Sequence, residues 1–327
     1  MALHAVEDLE EAFGVTREFL TPVTPRRWLT LALVALFVGG GVSFPTAQFG
    51  TSSTSGDVPI GEVPSALPVD LLALAVAAVG VGLLFLAVVA LIGAVMEFVL
   101  IESLRTGEVT LRRYWRRRWR QGLRLFGFRI AIGLPTLALF GGWAALLVVP
   151  VLTGRDPGFS AAAFLIGIPL LSLVSVAYAL VSGFTTVFVV PLMIQSDSGV
   201  LAAWRRLWPS IKRSWKQYLA YVVVAFLLTV ATGIVVSVVV GIVAVVLLVP
   251  VLVAVAVVHA TVSVTSPIGL VLLVPIALLF GVAVLAVGAL ARVPVVTYLR
   301  YHALLVLGDV EESFDVLADR RPLVADP

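Results

Sequence analysis

The stretch LAYVVVAFLLTVATGIVVSVVVGIVAVVLLVPVLVAVAVV, residues 219–258, runs for 40 positions without a charged side chain. A helix crosses a bilayer core about 30 Å thick with roughly 20 apolar residues, so this stretch either spans twice or spans once and continues. Five further runs share its character: 28–44, 71–101, 126–152, 161–196 and 268–299. Glu97, Arg129 and Arg292 are the only charges inside them, each close to one end. Backbone N–H and C=O groups left unsatisfied in lipid are too costly, so runs of this kind are predicted to be helices.

Lys and Arg stay on the cytoplasmic side of short loops. With six spans and an inside N-terminus, every basic residue except Arg155 falls on that side, whereas a seventh span would put Arg300, Arg320 and Arg321 outside. The long stretch is therefore read as one span near 219–247, continuing as an apolar outer segment through Pro250 toward His259. The fold class is all-α: a polytopic membrane protein with six transmembrane helices and both termini cytoplasmic. Its parts are an amphipathic N-terminal segment over 1–27, the six-span domain over 28–299 and a cytoplasmic tail over 300–327.

Composition agrees. Of 327 residues, 61% are hydrophobic and 13% charged, and the mean hydropathy is +1.11. Soluble domains carry roughly a quarter of their residues as charges, so too few are present here to clothe a water-facing surface. A nucleic-acid-binding domain is excluded on the same ground, despite a pI near 9.5. There is no cysteine, and His4, His259 and His302 fall in three separate regions. No disulfide, cofactor or metal site is expected. Among 22 basic residues only Lys212 and Lys216 are lysines, a bias in keeping with a GC-rich, halophilic source. The start of the chain is acidic, with Glu7, Asp8, Glu10 and Glu11. That is unlike a secretory signal, so the first span is expected to be retained.

Three segments end alike. FVLIESLRTGEVTLRRYWRRRW (98–119) and FVVPLMIQSDSGVLAAWRRLW (188–208) each pass from an apolar run through a polar turn into a basic, tryptophan-spaced segment, and VVTYLRYHALLVLGD (295–309) closes similarly. IGIPLLSLV (166–174) is matched by LLVPIALLF (272–280). Three helical hairpins follow, each a span out and a longer span back.

At 100° per residue, Arg112, Arg113, Arg116, Arg117, Arg120 and Arg124 share one face of the first basic segment, opposite Leu111, Trp115, Trp119, Gly122 and Phe126. In the second, Arg205, Arg206, Lys212, Arg213 and Lys216 face away from Leu201, Trp204, Trp208, Ile211 and Trp215. Basic amphipathic helices lie in the interface plane, and tryptophan favours the headgroup level. Trp115, Trp119, Trp204, Trp208 and Trp215 are thus candidate interfacial anchors. The cations are candidates for contact with anionic lipid headgroups or with an acidic cytoplasmic partner. The alternative is that they only set topology. The N-terminal stretch puts Ala5, Val6, Leu9, Ala12, Phe13 and Leu20 opposite Glu7, Asp8, Glu11 and Glu18, and either docks on the arginine segment or floats on the bilayer.

Charges inside a span are costly and often functional. Glu97 lies eight residues before Arg105, and Arg292 eight before Arg300. If the second and sixth spans are equivalent, Glu97 and Arg292 pair, with Arg129 competing for Glu97. Such a pair serves as a gate or as a clamp between hairpins, and the scarcity of other internal charge favours the clamp. Pro169 and Pro275 should kink their helices. The stripe Ser172, Ser175, Tyr178, Ser182, Thr185 and Thr186 bonds between helices or lines a solute path. No catalytic motif is present, so an enzyme is not expected.

The segment FVVPLMIQSDSGVLAAWRRLWPSIKRSWKQYLAY (188–221) resembles a pattern in uncharacterised six-helix membrane proteins. It is similar to the membrane domain that precedes some glycerophosphodiester phosphodiesterases. RYHALLVLGDV (300–310) resembles the C-terminus of haloarchaeal multipass proteins of unknown function. The resemblance implies six helices and a cell-membrane location and carries over no catalytic residue. The expected function is a non-enzymatic integral membrane protein acting through its basic segments. The alternative is a small-solute transporter or channel built on the fourth and sixth helices.

Overall fold

In a computed structural model, the structure describes residues 4–38, 69–153, 157–262 and 266–318. These residues are helical almost throughout and contain no strand. In chain order the helices are α1 (His4–Leu20), α2 (Pro25–Phe37), α3 (Val69–Thr106), α4 (Leu111–Leu152) and α5 (Pro157–Phe184). A π-helical turn, Thr185–Val189, leads into α6 (Val190–Ser196). Then come α7 (Val200–Arg213), α8 (Trp215–Thr261), α9 (Pro267–Val310) and a 3-10 turn, Glu312–Phe314.

Local chemistry sets most of the boundaries. Pro25 and Pro267 start α2 and α9, where a missing N–H costs nothing. The Ser266 hydroxyl also accepts from the Gly269 N–H at 3.1 Å. Gly107, at φ 75°, closes α3 in the left-handed conformation that glycine adopts freely. Asp197, at φ 47°, closes α6. Pro191 explains the π-turn: it has no N–H to return to residue 187. The turn widens there, and the Val190 N–H reaches back five residues to the Thr185 carbonyl.

Among the described residues, five helical segments are long and apolar enough to cross a membrane: Ala77–Thr106, Leu111–Pro150, Ala162–Ser196, Trp215–Thr261 and Pro267–Val310. The expected first span, 28–44, overlaps α2, whose 13 residues are too few to cross; its remainder, 39–44, lies outside the described residues, as do the loop over 45–68, Arg155 and the tail from 319. The 40-residue stretch belongs to one unbroken helix, α8, which continues through Pro250. At 1.5 Å per residue its 47 residues reach about 70 Å, more than twice a bilayer's apolar thickness. α5 and α9 likewise continue through Pro169 and Pro275.

One expectation about the basic segments changes. The arginine segment is not a separate helix lying in a plane: it is the first turns of α4, coaxial with the apolar run that follows. The second segment, α7, is a helix of its own, ended by Ser214 at φ −118° and ψ 34°.

The packed core lies at the basic end. The last turns of α3 and α9 run through it, each facing two clusters. Phe98 and Ile101 of α3 join Leu307 of α9, Phe188, Leu192 and Leu207 in one. Val99 and Leu104 join Tyr301, Leu304 and Leu31 in the other. α1 docks there by Ala12, Val15 and Phe19, against α9 and α8, and its apolar face supplies the contact. Gly122 lets α4 lie close on α3, since a Cβ there would stand 2.9 Å from the Cα of Val95. In the other half of the molecule apolar side chains point outward, as Leu84, Leu137, Leu173 and Leu279 do. Contact there is local: Trp143 lies over Gly167, donates to the Ala163 carbonyl at 3.0 Å and stacks on Phe164.

Candidate functional site

The centre of the basic end is a carboxylate. Glu97 is fully buried, and two guanidiniums meet it: Arg300 at Oε2 and Arg129 at Oε1, 3.4 Å away. Arg129 also donates to the Thr186 hydroxyl at 2.9 Å, and Arg300 to the Thr186 carbonyl at 3.0 Å. Both second bonds land in the π-turn. A buried charge is tolerable only when it is paired and further hydrogen-bonded, and α3, α4, α9 and the π-turn all contribute to that end here. α9 brings Arg300 to Glu97, two turns beyond Arg292. Arg129, the competing partner, is seated on the same carboxylate, and Arg292 is partly buried further along α9.

A second network lies beneath the first. Arg118, buried on α4, meets Glu102 of α3 at 3.2 Å and Asp197 at 3.6 Å. It also donates to Gln121 Oε1 at 3.1 Å. Gln121 in turn donates to the Met193 carbonyl at 3.1 Å and to Asp197 at 2.8 Å. These bonds join the α3–α4 turn to the α6–α7 turn, two of the similar segments. The sequence carried a signal for this: Arg118 sits on the apolar side of the helical wheel, among Trp115, Gly122 and Leu125. An arginine on that face must find a carboxylate.

The basic faces surround this core. Arg112, Arg113, Arg116, Arg117, Arg120 and Arg124 are all exposed on α4, as are Arg205, Arg206, Lys212, Arg213 and Lys216 around α7. Some are engaged at the rim. Arg117 approaches Glu102 at 3.8 Å. Arg213 pairs with Glu311, and Arg206 donates to the Ser313 carbonyl at 3.3 Å and lies over the Phe314 ring. The segment after α9 is thereby clipped onto α7.

The five tryptophans divide into two groups. Trp119, Trp208 and Trp215 are exposed, and Arg120, Lys212 and Lys216 lie over their rings at 5.4–5.9 Å. Trp115 and Trp204 are partly buried against the core, and the Trp204 indole donates to the Thr185 hydroxyl at 3.0 Å. In the polar stripe, Ser172, Ser175, Thr185 and Thr186 donate to carbonyls four residues back in their own helix. Thr185 and Thr186 additionally accept from other helices. His302, buried, stacks between Tyr221 and Tyr298 with centroids 5.7 and 6.5 Å away.

A protein all-helical over its described residues, with five helices among them fit by length and composition to cross a membrane and a core with buried ion pairs at one end, is the class that this geometry defines. Within that class, the chain belongs to a family of unknown function, DUF7544, whose model matches residues 3–317. No curated protein and no solved structure matches it.

Proposed function

We propose that the chain is a six-span protein of the cell membrane, its spans arranged as three hairpins with both ends in the cytoplasm. Its work is contact rather than catalysis: the basic end binds anionic phospholipid headgroups. One observation carries this reading. Glu97, Glu102, Asp197 and Glu311 are each engaged by an arginine, while Arg112, Arg113, Arg116, Arg120, Arg124, Arg205, Lys212 and Lys216 stand exposed with no carboxylate partner among the described residues. Each such cation near an anionic surface contributes about 1 kcal/mol, and exposed tryptophans beside them favour the headgroup level.

The rival reading, a small-solute transporter built on the helices carrying Pro169 and Pro275, draws less support. Hydroxyls that donate to their own helix leave fewer donors for a solute.

The test is thermal unfolding in nanodiscs of graded phosphatidylglycerol content. A ligand that binds the folded state raises its stability by mass action, so Tm is expected to rise with the anionic fraction. In the variant Arg120→Gln/Arg124→Gln/Arg205→Gln/Lys212→Gln the slope should flatten. A Tm indifferent to phosphatidylglycerol in the unaltered protein would remove the proposal, and an acidic cytoplasmic protein would then be the partner to seek.

A further inference from the structure

Between the start of α2 and the start of α4 lies an open groove of about 1860 Å³. Arg26, Arg112, Arg113 and Arg116 line one part of it, and Leu29 and Leu33 another. The four arginines are exposed and have no carboxylate partner among the described residues. Glu108 is the single acid in the lining. Leu29 and Leu33, one and two turns into α2, are 63% and 42% exposed. Below them Arg27 donates to the Gly107 carbonyl at 3.4 Å and lies over the Phe19 ring at 4.5 Å. The wall between α2 and the α3–α4 turn is thereby held in place.

We infer that this groove seats one anionic phospholipid, its phosphate among Arg26, Arg112, Arg113 and Arg116 and an acyl chain along Leu29 and Leu33. The inference rests on the proposed headgroup-binding role of the basic end and makes one part of it a discrete site. Three features point to a lipid rather than to free phosphate or protein. The cations line one groove from two helices, which suits a compact anion better than an extended one. The N-termini of α2 and α4 both open on the groove, adding the positive ends of two helix dipoles. The leucines continue the groove in the direction in which α2 becomes wholly apolar, an arrangement that matches a ligand with a charged head and an apolar tail. None of the arginines on the groove was distinguishable in sequence from the rest of the basic face, and Arg26 was not among the candidates.

The experiment is native mass spectrometry of the full chain, extracted in detergent and titrated with phosphatidylglycerol or phosphatidylcholine. One phosphatidylglycerol per chain should saturate at a concentration where phosphatidylcholine does not bind. Arg26→Gln/Arg113→Gln should weaken it about thirtyfold, the effect of two cations near an anionic group. Arg205→Gln/Arg206→Gln, which removes cations of the wider surface and none of the groove, should lower only weaker additional binding and leave the one-lipid step unchanged. Leu29→Ser/Leu33→Ser should weaken phosphatidylglycerol while leaving all charges in place. Equal binding of the two lipids, or equal loss in the two arginine pairs, would overturn the site. Displacement of phosphatidylglycerol by inorganic phosphate at similar concentration would also overturn it, since the groove would then hold a free anion. Failure of this site alone would leave the nanodisc slope with phosphatidylglycerol intact, whereas a flat slope would end the broader reading as well.

Discussion

The same residue types meet opposite fates in the two halves of this molecule. At the basic end Phe98, Phe188 and Leu304 are shut away, while in the apolar half Leu84, Leu137, Leu173 and Leu279 leave more than half of their surface uncovered. In water an apolar side chain gains about 25 cal/mol for each Å² it buries. In lipid that drive is absent, since acyl chains are as apolar as leucine, and helices associate by close fit and polar contact. The half that resembles a soluble core thus packs, and the apolar half, proposed to face lipid, stays open except at particular fits such as Trp143 over Gly167. The structural integrity of the chain is accordingly concentrated where its charges are.

The largest test of this contrast is Glu97→Gln. It leaves two arginines facing a neutral group in a buried site, and removal of one partner from such a cluster costs about 3–5 kcal/mol. Unfolding in detergent, followed by circular dichroism, should register that loss. Arg129→Gln should cost less, because the Arg129 side chain is 27% exposed and Arg300 stays on the carboxylate.

Next comes a matched pair of truncations. Leu104→Ala or Leu192→Ala, in the two clusters of the basic end, should each cost about 2–5 kcal/mol through the cavity left behind. Gly122→Ala should follow at about 1–3 kcal/mol, because its Cβ would press on the backbone of Val95 and force α4 away from α3. Smallest of all is Leu279→Ala, on the open face of α9, expected to stay within about 0.5 kcal/mol. A Leu279 effect as large as that of Leu104 would mean that the apolar half is covered by protein in the membrane, and the contrast would fail.

The existence and apolar character of the long helices were legible because uncharged runs of such length admit little else. Their ends at the basic side were not. Spans read as 71–101, 126–152 and 268–299 belong to helices that continue to Thr106, begin at Leu111 and continue to Val310. A charge marks where a membrane ends and says nothing of where a helix does, since Arg, Leu and Trp sustain a helix in water as well. The need for a buried pairing was legible, but the part that Arg300 takes in it was not. Glu97 was recognisable as the residue needing a cation, and Arg129 as one that could supply it. The depth at which α9 meets α3 is set by side-chain packing between helices distant in sequence. That packing seats Arg300 on Glu97, two turns and about 12 Å along the axis from Arg292. Arg118 was missed, although its place on the apolar face of its helix was a signal for it. The groove between α2 and α4 was not legible, because its lining comes from two helices and only the fold brings them together.

Tryptophan placement allows the central claim, that the basic end is a surface for anionic lipid, to be read directly. Trp143 lies in the apolar half, while Trp28, Trp115, Trp119, Trp204, Trp208 and Trp215 belong to the basic end. In a Trp143→Phe background, fluorescence would be compared between nanodiscs holding equal fractions of chain-brominated phosphatidylglycerol and chain-brominated phosphatidylcholine. Stronger quenching by the anionic lipid at low salt, with the difference fading toward 1 M salt as charges are screened, is the expected result. Equal quenching by the two lipids at every salt concentration would contradict the account.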